Sequence, residues 1–240
     1  MDIISKLAKK AQNNWEEPSV TIAFLGDSVT QGCFEVYKTS EKGIQTVFDK
    51  NSAYHAYIAR ILAVLYPTVP VNIINGGISG GSAPHGLARL ERDILIHHPD
   101  LTVVCFGLND SGKGQDGLVD YLTALEQIFI KLEESGSEII FMTPNMMATE
   151  VSCHIKDDHI KKIASEISKR QTEGGLDQYI EGAKDLCKAR GITVCDCYAK
   201  WKILAESGVN ITELLSNKIN HPTRDMNYLF AVSLVETMFS

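Results

Sequence analysis

The stretch Thr21-Ile22-Ala23-Phe24-Leu25-Gly26-Asp27-Ser28-Val29-Thr30-Gln31-Gly32 decides how this chain reads. With Val20, its first half is an apolar run that includes three β-branched residues. The run stops at Gly26-Asp27-Ser28, as a buried strand does when it ends in a tight turn. In an open parallel sheet, ligands bind in the crevice beyond the carboxyl ends of the strands. A turn there would present Ser28 as a nucleophile. Asp27 or Ser28 also suits the cap of a following helix, and this segment alone does not separate the two roles.

Outward from this stretch the same alternation repeats. Short apolar runs at Val20–Leu25, Val71–Asn75, Leu101–Phe106, Glu138–Thr143 and Ile192–Asp196 read as strands. Amphipathic stretches separate or follow them, at about Ser52–Leu65, Pro84–His97, Gly117–Ser135, within Lys156–Arg190 and at Arg224–Met238. Gly174-Gly175 is a natural break in the fourth of these. Strands alternating with longer helices imply right-handed βαβ crossovers that cover both faces of a parallel sheet. The expected fold class is α/β, a three-layer α/β/α sandwich on a five-stranded parallel sheet. Residues Phe34–Asn51 lack a clear period and read as a long loop, placed to form a lid or a binding wall.

A chain of 240 residues, 44% hydrophobic, can bury a full core. No linker, repeat or low-complexity tract divides it, so residues 1–240 are expected to form one domain. Residues 1–17 form an amphipathic helical segment packed on that domain, with Ile3, Ile4, Leu7 and Ala8 at helical spacing. The net charge of −7 and the absence of a basic stripe argue against a nucleic-acid partner. No apolar run is long enough for a membrane span or a signal-peptide core. The six cysteines show neither CxxC nor zinc spacing, which points to buried free thiols in a reducing, cytoplasmic setting. The sequence carries no signal for oligomeric state.

The strand ends bring polar residues together. The second strand runs into Asn75-Gly76-Gly77-Ile78-Ser79-Gly80-Gly81, the third into Gly107-Leu108-Asn109-Asp110, and the fourth into Thr143-Pro144-Asn145. Parallel strands share a direction, so Ser28, the glycine loop and Asn109 should meet at one edge. Ser28 could attack an acyl carbonyl once a base takes its proton. The N–H groups of Gly80 and Ser28 and the amide of Asn109 could then hold the oxyanion.

The base should be one of seven histidines. His97 and His98 sit at a helix end, His55 falls within a helical run, and His154 and His159 flank Asp157-Asp158 at a helix start. His85 could line the pocket. His221 lies in Asn220-His221-Pro222, where the proline holds its backbone extended, and is the best-placed base. No GxGxxG, P-loop, GxSxG or HExxH motif is present.

These residues resemble the blocks of the SGNH hydrolases, the GDSL-type esterases and lipases. Gly26-Asp27-Ser28 is similar to the first block, Asn75 to Gly80 to the second, Gly107 to Asp110 to the third and His221-Pro222 to the last. They occur in the family's order from about Val20 to Ala231. The resemblance implies a flavodoxin-like fold and a mechanism that needs no metal or cofactor. Its substrates would be small-molecule esters, often short acyl chains or acetyl groups on sugars. It implies Ser28 as nucleophile, His221 as base, and Ser28, Gly80 and Asn109 as the oxyanion hole. Asp27, Asn145 and Pro222 are candidate pocket residues.

One position departs from the pattern. The family's aspartate three residues before the histidine is Lys218 here. That aspartate orients the imidazole, and a lysine cannot accept a hydrogen bond. Three readings stand: a carboxylate or carbonyl from elsewhere replaces it, a Ser–His dyad suffices, or the chain binds a sugar or small acid without turnover. An acyltransferase is the alternative within enzymes.

Overall fold

In the computed structural model, which describes residues 1–39 and 43–240, the apolar run becomes strand β1 (Val20–Gly26). Before it, α1 (Asp2–Gln12) buries Ile3 and Leu7 against the body. After it come the one-turn helix α2 (Ser28–Gln31), β2 (Cys33–Thr39), β3 (Gly43–Phe48) and α3 (Tyr54–Leu65). The chain continues through β4 (Val71–Gly77), α4 (Ala83–Asp93), β5 (Leu101–Cys105), α5 (Asp116–Glu134) and β6 (Glu138–Met142). It ends with α6 (Asp158–Thr172), α7 (Gly175–Arg190), β7 (Thr193–Cys195), α8 (Cys197–Glu206) and α9 (Arg224–Phe239).

Strands β4-β1-β5-β6-β7 form one parallel sheet in that order. Alternate side chains enter opposite cores, as the two-residue period of a strand dictates. Ile22, Phe24, Val103, Ile140 and Met142 join α1, α3, α8 and α9 on one face. Ala23, Leu25, Val104, Ile139 and Phe141 join α4, α5 and α7 on the other. This is the three-layer α/β arrangement expected from the sequence. No helix among the described residues is long and apolar enough to cross a membrane.

The structure corrects the reading of 34–51 as a loop. Most of it is an antiparallel hairpin of β2 and β3, apart from Ser40, Glu41 and Lys42, which lie outside the described residues. The hairpin exposes Tyr37, Ile44 and Phe48 and so has no single buried face to give it a sequence period. The pairing steps from Cys33 opposite Phe48 to Val36 opposite Thr46. Phe34 and Glu35 therefore face the single residue Val47, which is a β-bulge. Helix α8 was not anticipated. Of the six free cysteines, Cys153 is exposed and the other five are buried.

Candidate active site

Ser28 stands at the first position of α2, directly beyond β1. Asp27 is the N-cap, its carboxylate accepting the Val29 N–H at 2.9 Å. The same turn therefore caps α2 and places Ser28 at its first position. The turn fits only because its neighbours are glycines. A Cβ on Gly26 would lie 2.0 Å from Thr30 Oγ1, and one on Gly77 would lie 2.3 Å from the Gln31 nitrogen. Beneath the turn, the Arg89 guanidinium donates to the carbonyls of Gly26, at 2.7 Å, and of Gly76.

Gly80 adopts a φ of +74°, which suits glycine. The backbone N–H groups of Gly80 and Ser28 make no hydrogen bond among the described residues. Asn109 Nδ2 donates to the Gly81 carbonyl at 2.8 Å, tying the end of β5 to the glycine loop after β4. Asp110 strengthens this tie, accepting the N–H groups of Ala83 at 2.8 Å and Gly107 at 3.1 Å.

His221 enters from the opposite end of the sequence. Asn217 Oδ1 accepts the N–H groups of Ile219, Asn220 and His221, at 3.0, 2.9 and 2.9 Å. Asn145 Nδ2 reaches from the end of β6 to the Asn220 carbonyl at 2.9 Å. Ser216 N–H donates to the His221 carbonyl at 2.8 Å, and Pro222 bridges to Leu215. So held, His221 Nε2 lies 3.0 Å from Ser28 Oγ, and both residues are buried.

The other ring nitrogen, Nδ1, lies 2.9 Å from the Phe34 carbonyl oxygen. A carbonyl only accepts, so Nδ1 carries the proton and Nε2 of the neutral ring presents its lone pair to the Ser28 hydroxyl. The bulge in β2 leaves this carbonyl available. Lys218, at the position of the family's aspartate, is occupied elsewhere: its ammonium lies 2.8 Å from the Glu213 carboxylate. Of the readings left open by that lysine, the geometry matches a carbonyl from elsewhere in the chain.

Burial lowers the His221 pKa below the usual histidine value, and the Phe34 carbonyl opposes that shift. Asp27 is raised to about 7, chiefly by complete burial and further by the Asp110 charge, against the stabilising Val29 N–H. Asp27, Asn145 and Pro222 are all buried. Tyr54, Met146 and Met147 lie in the core, while Tyr37 and Phe48 stand exposed on the hairpin. His55 is buried beside Phe24, and Asp157 caps α6.

Two contributors escaped sequence reasoning. Asn217 had a signal, since an asparagine a few residues before a rigid histidine loop suits a turn that captures backbone N–H groups. The Phe34 carbonyl had none, because every residue carries one.

A family model for the GDSL-like lipase/acylhydrolase family matches residues 24–228. The chain belongs to that family. This GDSL-like chain is 27% identical over 132 residues to an acetylxylan esterase from Geobacillus stearothermophilus, covering 51% of this chain and 58% of that one. It is 35% identical over 72 residues to an arylesterase from Vibrio mimicus, covering 30% and 36%. The matches thus span less than two thirds of either relative. A solved lipase/acylhydrolase from Enterococcus faecalis shares the fold with a TM-score of 0.65 at 20% identity, over 91% of this chain and 95% of that one.

Proposed function

We propose that this GDSL-like protein is a serine esterase that cleaves short acyl esters, acetyl esters of carbohydrates among them. The observation that carries the reading is the Ser28 Oγ–His221 Nε2 contact of 3.0 Å, with Nδ1 on the Phe34 carbonyl. His221 takes the Ser28 proton as Oγ attacks the ester carbonyl. The N–H groups of Ser28 and Gly80 and the amide of Asn109 hold the oxyanion. As the C–O bond to the alcohol breaks, His221 returns the proton to the leaving oxygen. It then deprotonates a water molecule, which attacks the acyl-serine. The acid departs and Ser28 recovers its proton. The Phe34 carbonyl stabilises the imidazolium formed at each step, as an aspartate does in a triad. No step calls on a metal or cofactor. The resemblance to the acetylxylan esterase makes acetylated xylo-oligosaccharides the first carbohydrate esters to examine. Six free thiols suit a reducing cytoplasm, where we place the protein.

The test is hydrolysis of p-nitrophenyl acetate by purified Ser28→Ala and His221→Ala. Each variant is expected to lose at least about 10³-fold in kcat. A Ser28→Ala protein as fast as the parent would overturn the assignment.

A further inference from the structure

A backbone carbonyl cannot be varied like a side chain, so its position must be set by whatever holds its strand. Phe34 sits in the bulge of β2, where the ladder does not fix it. The group that reaches it is Arg224, three residues after His221 and first in α9. The Arg224 guanidinium places Nη1 and Nη2 on the two Glu35 oxygens, at 2.6 and 3.2 Å. Its Nε donates to Asp49 just beyond β3, at 3.0 Å. Its carbon lies 4.3 Å from the centroid of the Phe34 ring. One side chain therefore grips both arms of the hairpin and covers the residue whose carbonyl meets His221. These bonds push Glu35 below its ordinary carboxylate value and Arg224 upward, while Asp49 is lowered first by its hydrogen bond with Ser52 and then by Arg224.

We infer that Arg224 is a positioning residue. It clamps the bulged hairpin to the start of α9 so that the Phe34 carbonyl selects the His221 tautomer competent to accept the serine proton. A planar fork suits this role because it fixes two directions at once, whereas a lysine supplies only a point charge. The inference rests on the esterase reading for its rate measurement but not for its structural one.

The test pairs kinetics with the 15N shifts of the His221 ring, which report the tautomer without substrate. In Arg224→Ala, the neutral ring is expected to move from Nδ1–H toward Nε2–H. The kcat for p-nitrophenyl acetate is expected to fall about 10- to 100-fold, with KM within about twofold, as for misplaced catalytic groups. Arg224→Lys should fall between this variant and the parent. Arg190→Ala controls for lost charge pairing alone. It breaks contacts to Glu126 and Glu133 far along the sequence from the hairpin and should leave tautomer and kcat unchanged. If Arg224→Ala fails to fold, Glu35→Gln removes the paired charge from the half-exposed end and should shift the tautomer in the same direction by less. An Arg224→Ala protein that keeps the Nδ1–H tautomer and the parent kcat overturns the inference, as does an unshifted Glu35→Gln if that variant must stand in. An Arg224-dependent tautomer in a wild-type protein without esterase activity would support the clamp and overturn the esterase reading instead.

Discussion

At the scale of single residues, the site is defined by where protons can and cannot go. Asp27 is the sharpest case. Its carboxyl is raised from 3.8 to about 7 in the fold, mainly by burial. The folded state therefore keeps this proton up to about pH 7, while the unfolded chain releases it near 3.8. A raised carboxyl contributes stability that is fully present below pH 3.8 and is lost as pH rises toward 7, by about 4 kcal/mol at most. Asparagine caps a helix as well as aspartate does. Asp27→Asn is thus expected to stabilise the protein against denaturant at about pH 8 and to do little at about pH 4, as urea titrations at the two values would check. Lys218 is the opposite case, conspicuous in the sequence and peripheral in the fold. It holds a φ of +58° and pairs with a half-exposed glutamate, an arrangement that contributes at most about 1 kcal/mol. Glycine adopts that φ without strain. Lys218→Gly should keep its p-nitrophenyl acetate rate within about twofold of the parent and melt no lower than about 2 °C below it.

At the scale of elements, the site depends on close approach between backbones. The end of β4 passes against α2, with no room for a side chain at Gly77: a Cβ would lie 2.3 Å from the Gln31 nitrogen and 2.6 Å from the Thr30 carbonyl carbon. Backbone atoms cannot rotate away as a side chain can, so α2 itself must shift. Gly77→Ala is expected to cost about 1–3 kcal/mol in chemical denaturation. It should lower kcat as well, because α2 carries Ser28. The same scale explains what the sequence showed and what it hid. Strands β1, β4, β5 and β6 were legible because each is a short apolar run closed by a glycine, asparagine or proline. The division between α6 and α7 was legible at Gly174, which holds a φ of +77°. Helix α8 was hidden because Trp201 is buried while Ile203 is exposed, so its apolar residues do not mark one face. The hairpin was hidden because its hydrophobic residues do not share an environment: Cys33 and Phe34 are buried, whereas Tyr37, Ile44 and Phe48 are exposed.

At the scale of the whole molecule, topology does the assembling. The order β4-β1-β5-β6-β7 sets β1 between β4 and β5, so the glycine loop and the Asn109 turn flank Ser28 on either side. Those blocks could be read from sequence because each is a strand end in a parallel sheet. His221 could be singled out by its proline, but its partner could not. The acceptor at Nδ1 comes from a residue 187 positions away, through a bulge that no residue type announces. In the esterase reading we propose, that carbonyl takes the aspartate's place from the opposite wall of the site, and Arg224, at the start of α9, bonds to Glu35 and Asp49 on that wall. The whole mechanism depends on activation of Ser28 by His221. Reacting the folded protein with a fluorophosphonate and mapping the adduct by mass spectrometry probes that activation without any choice of substrate. A single adduct on Ser28 is expected in the parent, formed far more slowly in His221→Ala. An adduct on another residue, or labelling of Ser28 at the same rate without the imidazole, would contradict it.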